Sequence, residues 1–401
     1  MQIMKSQSLP FPATAPSIGH DLSLRLRAAA ALLCLACFAS TSAAAQPANP
    51  PKGLIVHDKF GGQIFGFDVD QNGAEGVLSE AQTLNNGNVL AAVETFDQKT
   101  GKILKVLIKT QTMDDFLTQG VVGTSVGLIE REHQVSFLHI KRTFHTINPL
   151  TANKFTGLWT PPIGQKHLLT SVSRSQGTAN VAAYAEDISG NFITYVFSSN
   201  VAANTFGPIV KITDQDFTSG SNPALAYDSK TNQAVLGHET LGNPFVPPKI
   251  ALVNLATRKF TKFTGVGTGA VNGMAVDSAT GIACTTTEID FSVQFYNLKK
   301  QSGFSQTLPR ATNQIQSGGD VAFDPIHKLF LVAQPVSSTS ANGSSIHVYD
   351  EKGNLKKSLN GFNFSNVGNV IPAHIALNPT RRTGFVDGPD PGVTEIQSFT
   401  Y

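Results

Sequence analysis

After residue 50 the apolar positions fall into short runs of five to nine residues, and no stretch keeps an apolar face at helical spacing. The runs are rich in β-branched and aromatic residues, and clusters of Gly, Asn, Asp and Pro separate them. That is the pattern of strands joined by turns. Gly53-Leu-Ile-Val-His57, Gln63-Ile-Phe-Gly-Phe67, Ile193-Thr-Tyr-Val-Phe197 and Ile346-His-Val-Tyr349 are clear examples. The pattern predicts an all-β chain.

A larger unit recurs within it: an apolar run containing Ala, then Asp or Asn, a polar turn, and a second apolar run. Ala224-Leu-Ala-Tyr-Asp228 precedes Gln233-Ala-Val-Leu236, and Met274-Ala-Val-Asp277 precedes Gly281-Ile-Ala-Cys284. Val321-Ala-Phe-Asp324 precedes Leu329-Phe-Leu-Val332, and Ile375-Ala-Leu-Asn378 precedes Thr383-Gly-Phe-Val386. The Asp/Asn positions lie 49, 47 and 54 residues apart. A third and a fourth strand complete each unit, as in Ser345-Ile-His-Val-Tyr-Asp350 followed by Leu355-Lys-Lys-Ser-Leu359. The first strand is small and apolar, as burial on both faces requires, whereas the last carries Lys and Ser, as an outer strand does. Four strands in about fifty residues is the pattern of a propeller blade.

The chain therefore reads as a single β-propeller. Leu90-Ala-Ala-Val-Glu-Thr-Phe-Asp97 and Leu168-Leu-Thr-Ser-Val-Ser173 read as earlier inner strands, 78 residues apart, too far for one unit and too close for two. An additional inner strand at Ser125-Val-Gly-Leu-Ile129, paired with Val135-Ser-Phe-Leu-His139, resolves this and makes seven blades; without it there are six. The 356 residues after position 45, divided by seven, give about 51 per blade, which favours seven. The last unit ends at its third strand, Val393–Phe399. The amino-terminal segment, with strands near residues 54, 64 and 78, is expected to supply the missing outer strand. That closes the ring and covers an open edge.

The repeated unit resembles the NHL and YVTN-type propeller repeats of exported bacterial proteins, over residues 213–401 and more loosely before them. The resemblance implies the fold and says little about activity. Asn272-Gly273, ahead of Met274-Ala-Val-Asp277, is similar to a blade of the gluconolactonase propellers. There the resemblance implies an Asn that helps hold a divalent metal. The matching acidic position in the next blade is Gly319, with Asp320 one step off, and an acidic ligand near residue 57 is missing. Pro372-Ala-His374-Ile-Ala-Leu is similar to a blade of the seven-bladed lactonases. Each of these two matches covers one blade.

Residues 28–38, AAAALLCLACF, form an apolar run too short to span a bilayer. Arg25 and Arg27 precede it, and Ala43-Ala44-Ala45-Gln46 follows with small residues suited to signal peptidase. Residues 1–45 read as a signal peptide and 46–401 as the propeller domain of a periplasmic or secreted protein. An uncleaved anchor and lipidation at Cys37 are the alternatives, the second weakened because Cys34 stands where a lipoprotein signal has Leu. No membrane span is expected after residue 45. Cys284 is the one thiol left there, and Ile282-Ala283 and Thr285-Thr286-Thr287 around it read as a buried strand. With 30 basic and 28 acidic residues overall, and Lys5, Arg25, Arg27 and Asp21 in the leader, the remainder is neutral. That argues against nucleic acid or an anionic membrane as a partner. A monomer is expected.

Asn222, Asn272, Asp320 and His374 stand just before inner strands, where a propeller gathers side chains around the mouth of its channel. Convergent polar groups there suit a ligand; capping of their own loops is the alternative. Asp68-Val-Asp70-Gln-Asn72-Gly73 offers oxygens at alternate positions ahead of a Gly, which suits Ca²⁺ as a candidate cofactor. The twelfth position of that loop is Ser79, with Glu80 one late, so a plain hairpin turn is the simpler reading. Gly123-Thr-Ser-Val-Gly127 matches a nucleophile elbow, but strands rather than a helix are expected after it. His238-Glu239 lacks the second His of a zinc helix. His139 and His347 alternate with apolar residues and are expected to point outward. The functional expectation is an exported, non-enzymatic propeller that binds a small molecule, a peptide or an envelope partner at the channel mouth. The alternative is a lactonase-like or other metal-assisted hydrolase using the same face.

Overall fold

The structure is a computed structural model. It describes residues 55–57, 63–71, 73–83, 85, 89–112, 126–129, 134–139, 143–147, 155–159, 168–172, 179–188, 191–200, 205–217, 224–238, 240, 243, 245–309, 318–335, 344–362, 374–386 and 395–401. The leader expected at 1–45 lies outside them, as do Asn72 and Asn222. Among the described residues the chain is all-β, with one 3-10 turn at Gln215–Phe217, and no helix is long and apolar enough to cross a membrane.

Strand β1 (Ile55–His57) comes first. A sheet follows from β2 (Gln63–Val69), β3 (Glu75–Thr83), β4 (Val89–Asp97) and β5 (Ile103–Thr112). The second is β6 (Val126–Ile129), β7 (Gln134–His139), β8 (Thr143–Ile147) and β9 (Phe155–Trp159). The third is β10 (Leu168–Val172), β11 (Ala179–Ile188) and β12 (Asn191–Asn200), with both β13 (Thr205–Phe206) and β14 (Val210–Ile212) on β12. The fourth is β15 (Ala224–Asp228), β16 (Gln233–His238), β17 (Lys249–Asn254) and β18 (Phe260–Thr264). The fifth is β19 (Val271–Asp277), β20 (Ile282–Thr287), β21 (Ser292–Asn297) and β22 (Ser302–Thr307). The sixth is β23 (Val321–Asp324), β24 (Leu329–Gln334), β25 (Ser344–Asp350) and β26 (Leu355–Phe362). The last is β27 (Ile375–Asn378), β28 (Thr383–Val386) and β29 (Glu395–Thr400), and its outer strand is β1, paired antiparallel through Ile55↔Gln397, Val56↔Ile396 and His57↔Glu395. The amino-terminal strand thus completes the last sheet, as the sequence led us to expect.

One expectation fails. Val89–Asp97 is the third strand of the first sheet, and its first strand is Gln63–Val69. Only β1 of the early strands joins the last sheet; those near residues 64 and 78 belong to the first. The cause lies in the pattern itself. Third strands also end in Asp or Asn, at Asp97, Asn254, Asn297 and Asp350. The true first strand carries Asp68 where the first strands of the last four sheets carry Ala, so it hides.

The first strands of the later sheets are buried along their length, and alternation of side chains explains their composition. Counting back from the strand-ending Asp or Asn, the second position is Ala226, Ala275, Ala322 or Ala376. Each of these packs against the following sheet. The flanking positions are larger and pack against the preceding sheet: Leu225 and Tyr227, Met274 and Val276, Val321 and Phe323, Ile375 and Leu377. In β2, Phe67 and Val69 meet Ala376, Phe385 and Ile396 of the last sheet. Contacts between sheets follow chain order and return to the start, from β2 to β6, β6 to β11, β10 to β15, β15 to β19, β19 to β23, β23 to β27 and β27 back to β2.

The strand-ending Asp and Asn are turn residues. Asp228, Asp277 and Asp97 each accept a bond from a Thr hydroxyl three residues on, at 2.6, 2.6 and 2.8 Å, and each also accepts amides of its own turn. The residue four positions after the Asp or Asn takes positive φ: Gly101, Asn232, Arg258, Gly281, Gln301, Lys328 and Arg382, between 51° and 71°. Five of these are not Gly, and the left-handed conformation costs such residues about 1–2 kcal/mol. The side-chain cap offsets that cost by satisfying the amides of the turn.

Some of these turns also bind the next sheet. Asn378 Nδ2 donates to Gln98 Oε1 at 2.8 Å and to Gly73 O at 3.2 Å, joining residues about 300 positions apart. Gln98 Nε2 in turn donates to Asp70 O and Glu75 O. Tyr401 Oη donates to Asp324 Oδ2 at 2.8 Å. Removing Asn378 strands buried partners, whereas Asn297 bonds only within its turn, through the Lys300 amide at 2.9 Å. Asn378→Ala is therefore expected to lower stability by about 2–3 kcal/mol and Asn297→Ala by about 1 kcal/mol or less. Urea unfolding reads both, and equal losses would show that the contact between the last and first sheets adds nothing.

Candidate functional site

Antiparallel meanders put the start of every first strand and the end of every second strand at one end of the sheets. Three connections there are long: 239–248 between β16 and β17, 308–320 between β22 and β23, and 363–374 between β26 and β27. At the other end the described hairpins span four or five residues. Asn272, Asp320 and His374 all lie at the long-loop end, at the starts of the fifth, sixth and seventh sheets.

Each of the three reaches the sheet that follows it. Asn272 sits at a bulge in β19, and its Nδ2 donates to Gly318 O at 2.9 Å. Gly273 permits this approach, since a Cβ there would fall 2.4 Å from Asp320 Cα. Thr286 Oγ1 donates to Gly319 O from the same side. Asp320 is 7% exposed; its Oδ1 accepts the Val321 amide at 2.8 Å and its Oδ2 the Ile375 amide at 3.1 Å. The His374 ring is partly buried and stands edge-on to Phe67 of the first sheet, with centroids 6.5 Å apart. Three expected mouth residues are thus brought to one end, and Asn272 and Asp320 hold neighbouring sheets together there.

The Asp68–Asp70 pair lies elsewhere. Asp68 is inside β2, 3% exposed, with Oδ1 accepting the Val69 amide at 2.9 Å. Asp70 stands at the strand-ending position, as Asp228, Asp277 and Asp324 do, and its Oδ1 accepts the Gly73 amide at 2.7 Å. The turn accounts for Asp70, and among the described residues no group of three His, Cys, Asp or Glu is placed to hold a metal ion. Val126 and Gly127 of the elbow pattern begin strand β6, which pairs with β7. Cys284 is fully buried, and burial pushes its thiol well above the usual range, which leaves it a poor nucleophile.

His347 corrects the sequence reading. It is 2% exposed, between Gln334 Oε1 at 2.6 Å from Nε2 and Ser358 Oγ at 2.9 Å from Nδ1. The carboxamide oxygen only accepts, so Nε2 carries the hydrogen and, in the neutral ring, Nδ1 accepts from Ser358. The strand alternates as expected, but both faces of a third strand are covered by neighbouring sheets. A second polar row, Thr285–Gln294–Ser292, is buried in the fifth sheet. His347 looked solvent-facing in the sequence, and only its complementarity to Gln334 and Ser358 could have marked it as a buried partner.

Burial lowers the His347 pKa to about 4 from an ordinary 6.5. A depressed folded-state pKa means the unfolded chain binds the proton better, so stability is full above pH 6.5 and falls as pH drops toward 4. The loss is about 3 kcal/mol, the worth of a shift of this size. His347→Gln is expected to remove that part of the slope between pH 6.5 and 4 in urea titrations. Parallel slopes for the two proteins would contradict the assignment.

No protein-family model matches the chain, and no curated protein does either.

Proposed function

We propose that residues 46–401 form a single seven-bladed β-propeller, each sheet one blade, with the first strands around a central channel. The protein is exported, the leader is removed, and the ring binds a small molecule, a peptide or an envelope partner where the first strands begin. One observation carries this reading. Three consecutive first strands bring Asn272, Asp320 and His374 to the end that also bears the long connections. Loops fixed to a rigid scaffold are where binding residues concentrate. A ring braced by cross-sheet bonds at its mouth loses little conformational freedom when a ligand arrives. The repeat resemblance and the cyclic order of sheet contacts support the propeller; the chain's charge neutrality supports a partner other than nucleic acid.

A metal-assisted, lactonase-like hydrolase is the alternative at the same face. It needs two or three acidic or His side chains around one ion. The described residues offer no such group of three, and Asn272 gives its amide to a backbone carbonyl. The arrangement favours binding over catalysis.

A thermal-shift screen of residues 46–401 against small molecules, peptides, Ca²⁺ and Zn²⁺ tests this. A ligand at about 100 times its Kd adds about 2.7 kcal/mol and raises the midpoint. His374→Ala is expected to abolish that rise. Asp320→Asn lowers the midpoint of the unliganded protein, because a carboxamide oxygen accepts the Ile375 amide less strongly than a carboxylate does. A ligand whose effect ignores His374→Ala would place the binding site elsewhere.

A further inference from the structure

Strand β22 is the free edge of the fifth sheet, paired with β21 on one side only, and all six of its residues are exposed. Its sequence, Ser-Gly-Phe-Ser-Gln-Thr, carries no charge. The edge strands β5, β18 and β26 differ. Lys105 lies in β5, Lys356 and Lys357 lie in β26, and Lys262 of β18 is tied to Asp214 and Asp216, after β14, at 2.7 Å each. Lysines on an edge guard it against the addition of another strand, and β22 has none. Its backbone is open as well. The Leu308 amide donates to Phe291 O at 2.8 Å, which fixes the phase of the ladder with β21. Ser302, Phe304 and Gln306 then bond to β21, whereas Gly303, Ser305 and Thr307 turn their N–H and C=O groups outward.

An apolar seam runs beside these groups. Phe304 stacks on Phe295 with centroids 5.3 Å apart and stays 44% exposed. Phe295 meets Tyr349 of the sixth sheet at 5.9 Å, and Leu355, 45% exposed, is the cross-strand partner of Tyr349. Directly paired residues share a face, so Phe304 and Leu355 border the same seam between the two sheets. Gly353 lets the sixth sheet approach there, since a Cβ would fall 2.8 Å from Phe304 Cε2. Lysines flank the seam. Lys299 and Lys300 are exposed in the β21–β22 turn and Lys352 in the β25–β26 turn, and among the described residues none of the three is in an ion pair. Lys356 is held by Asp350 at 2.8 Å. Four lysines against two carboxylates, Asp350 and Glu351, leave this border positive.

We propose that β22 is a docking edge that adds an extended, acidic segment of a protein partner as a fifth strand of the sheet. The outward backbone groups supply the hydrogen bonds, and Phe304 and Leu355 receive apolar side chains from one face of the segment. The lysines of the two turns attract its carboxylates where β22 begins. A second copy of this chain is the poorer occupant, because its β22 brings no carboxylate and the same lysines come with it. The surface is separate from the end proposed above for ligand binding: its lysines sit in the short hairpins, at the opposite end of the sheets.

Fluorescence anisotropy with a labelled peptide, Glu-Glu-Val-Thr-Val-Thr-Glu-Glu, tests the proposal. The protein should bind it, should bind the peptide Lys-Lys-Val-Thr-Val-Thr-Lys-Lys about tenfold more weakly, and should release it as salt is raised. Ser305→Pro removes an outward N–H and no bond to β21, so it should abolish binding. Lys299→Glu combined with Lys300→Glu should weaken binding about tenfold, and this variant decides if Ser305→Pro does not fold. His374→Ala should leave binding unchanged. No binding of the acidic peptide, equal binding of the two peptides, indifference to the β22 and lysine variants, or dependence on His374 would overturn the proposal. So would sedimentation showing that the protein alone forms a dimer that Ser305→Pro breaks, since the edge would then belong to a second copy.

Discussion

From the fourth sheet to the seventh, each first strand turns large apolar side chains toward the sheet before it and an alanine toward the sheet after it, and the packing of these sheets depends on that asymmetry. A four-stranded sheet cannot cover its own two faces. Met274 and Val276 fill the space against the fourth sheet while Ala275 leaves room for Phe323 and Phe330 of the sixth. Repeated from the fourth sheet to the seventh, this asymmetry makes each of these interfaces the same problem solved with different residues. Phe67 and Val69 receive Ala376 across the join between the two ends of the chain in the same way.

Polar chemistry divides between the two ends of the sheets. Short hairpins at one end place capped carboxylates and carboxamides close to the neighbouring sheet, so a turn residue becomes a bridge, as at Asn378 and Asp324. The other end carries the long connections and the polar starts of the first strands. Asp320 shows how the roles overlap: it fixes the start of β27 through the Ile375 amide while lying at the end we propose for ligand binding.

Much of the fold was legible because packing and turn chemistry both leave periodic marks. The Ala-then-Asp signature reports a small side chain facing one neighbour and a capped turn after it. It failed at β2, where Asp68 replaces the Ala, and it was counterfeited by β4, which ends in the same kind of turn at Asp97. The site was less legible. Position along a first strand located Asn272, Asp320 and His374, but not the backbone groups they bind, since Gly318 and Ile375 belong to other units of the repeat. His347 misled because alternation says which way a side chain points and not whether water is there.

The central claim is that the sheets close on themselves, with the last against the first. The most direct test is a distance between spin labels at Lys99→Cys and Arg381→Cys in residues 46–401, two exposed turn positions of the first and seventh sheets, where buried Cys284 is the one other thiol and leaves the labelling selective. Facing sheets lie about 10 Å apart, so closure predicts one narrow distribution below about 20 Å. A broad or long distribution would contradict closure and leave a row of sheets with two open ends.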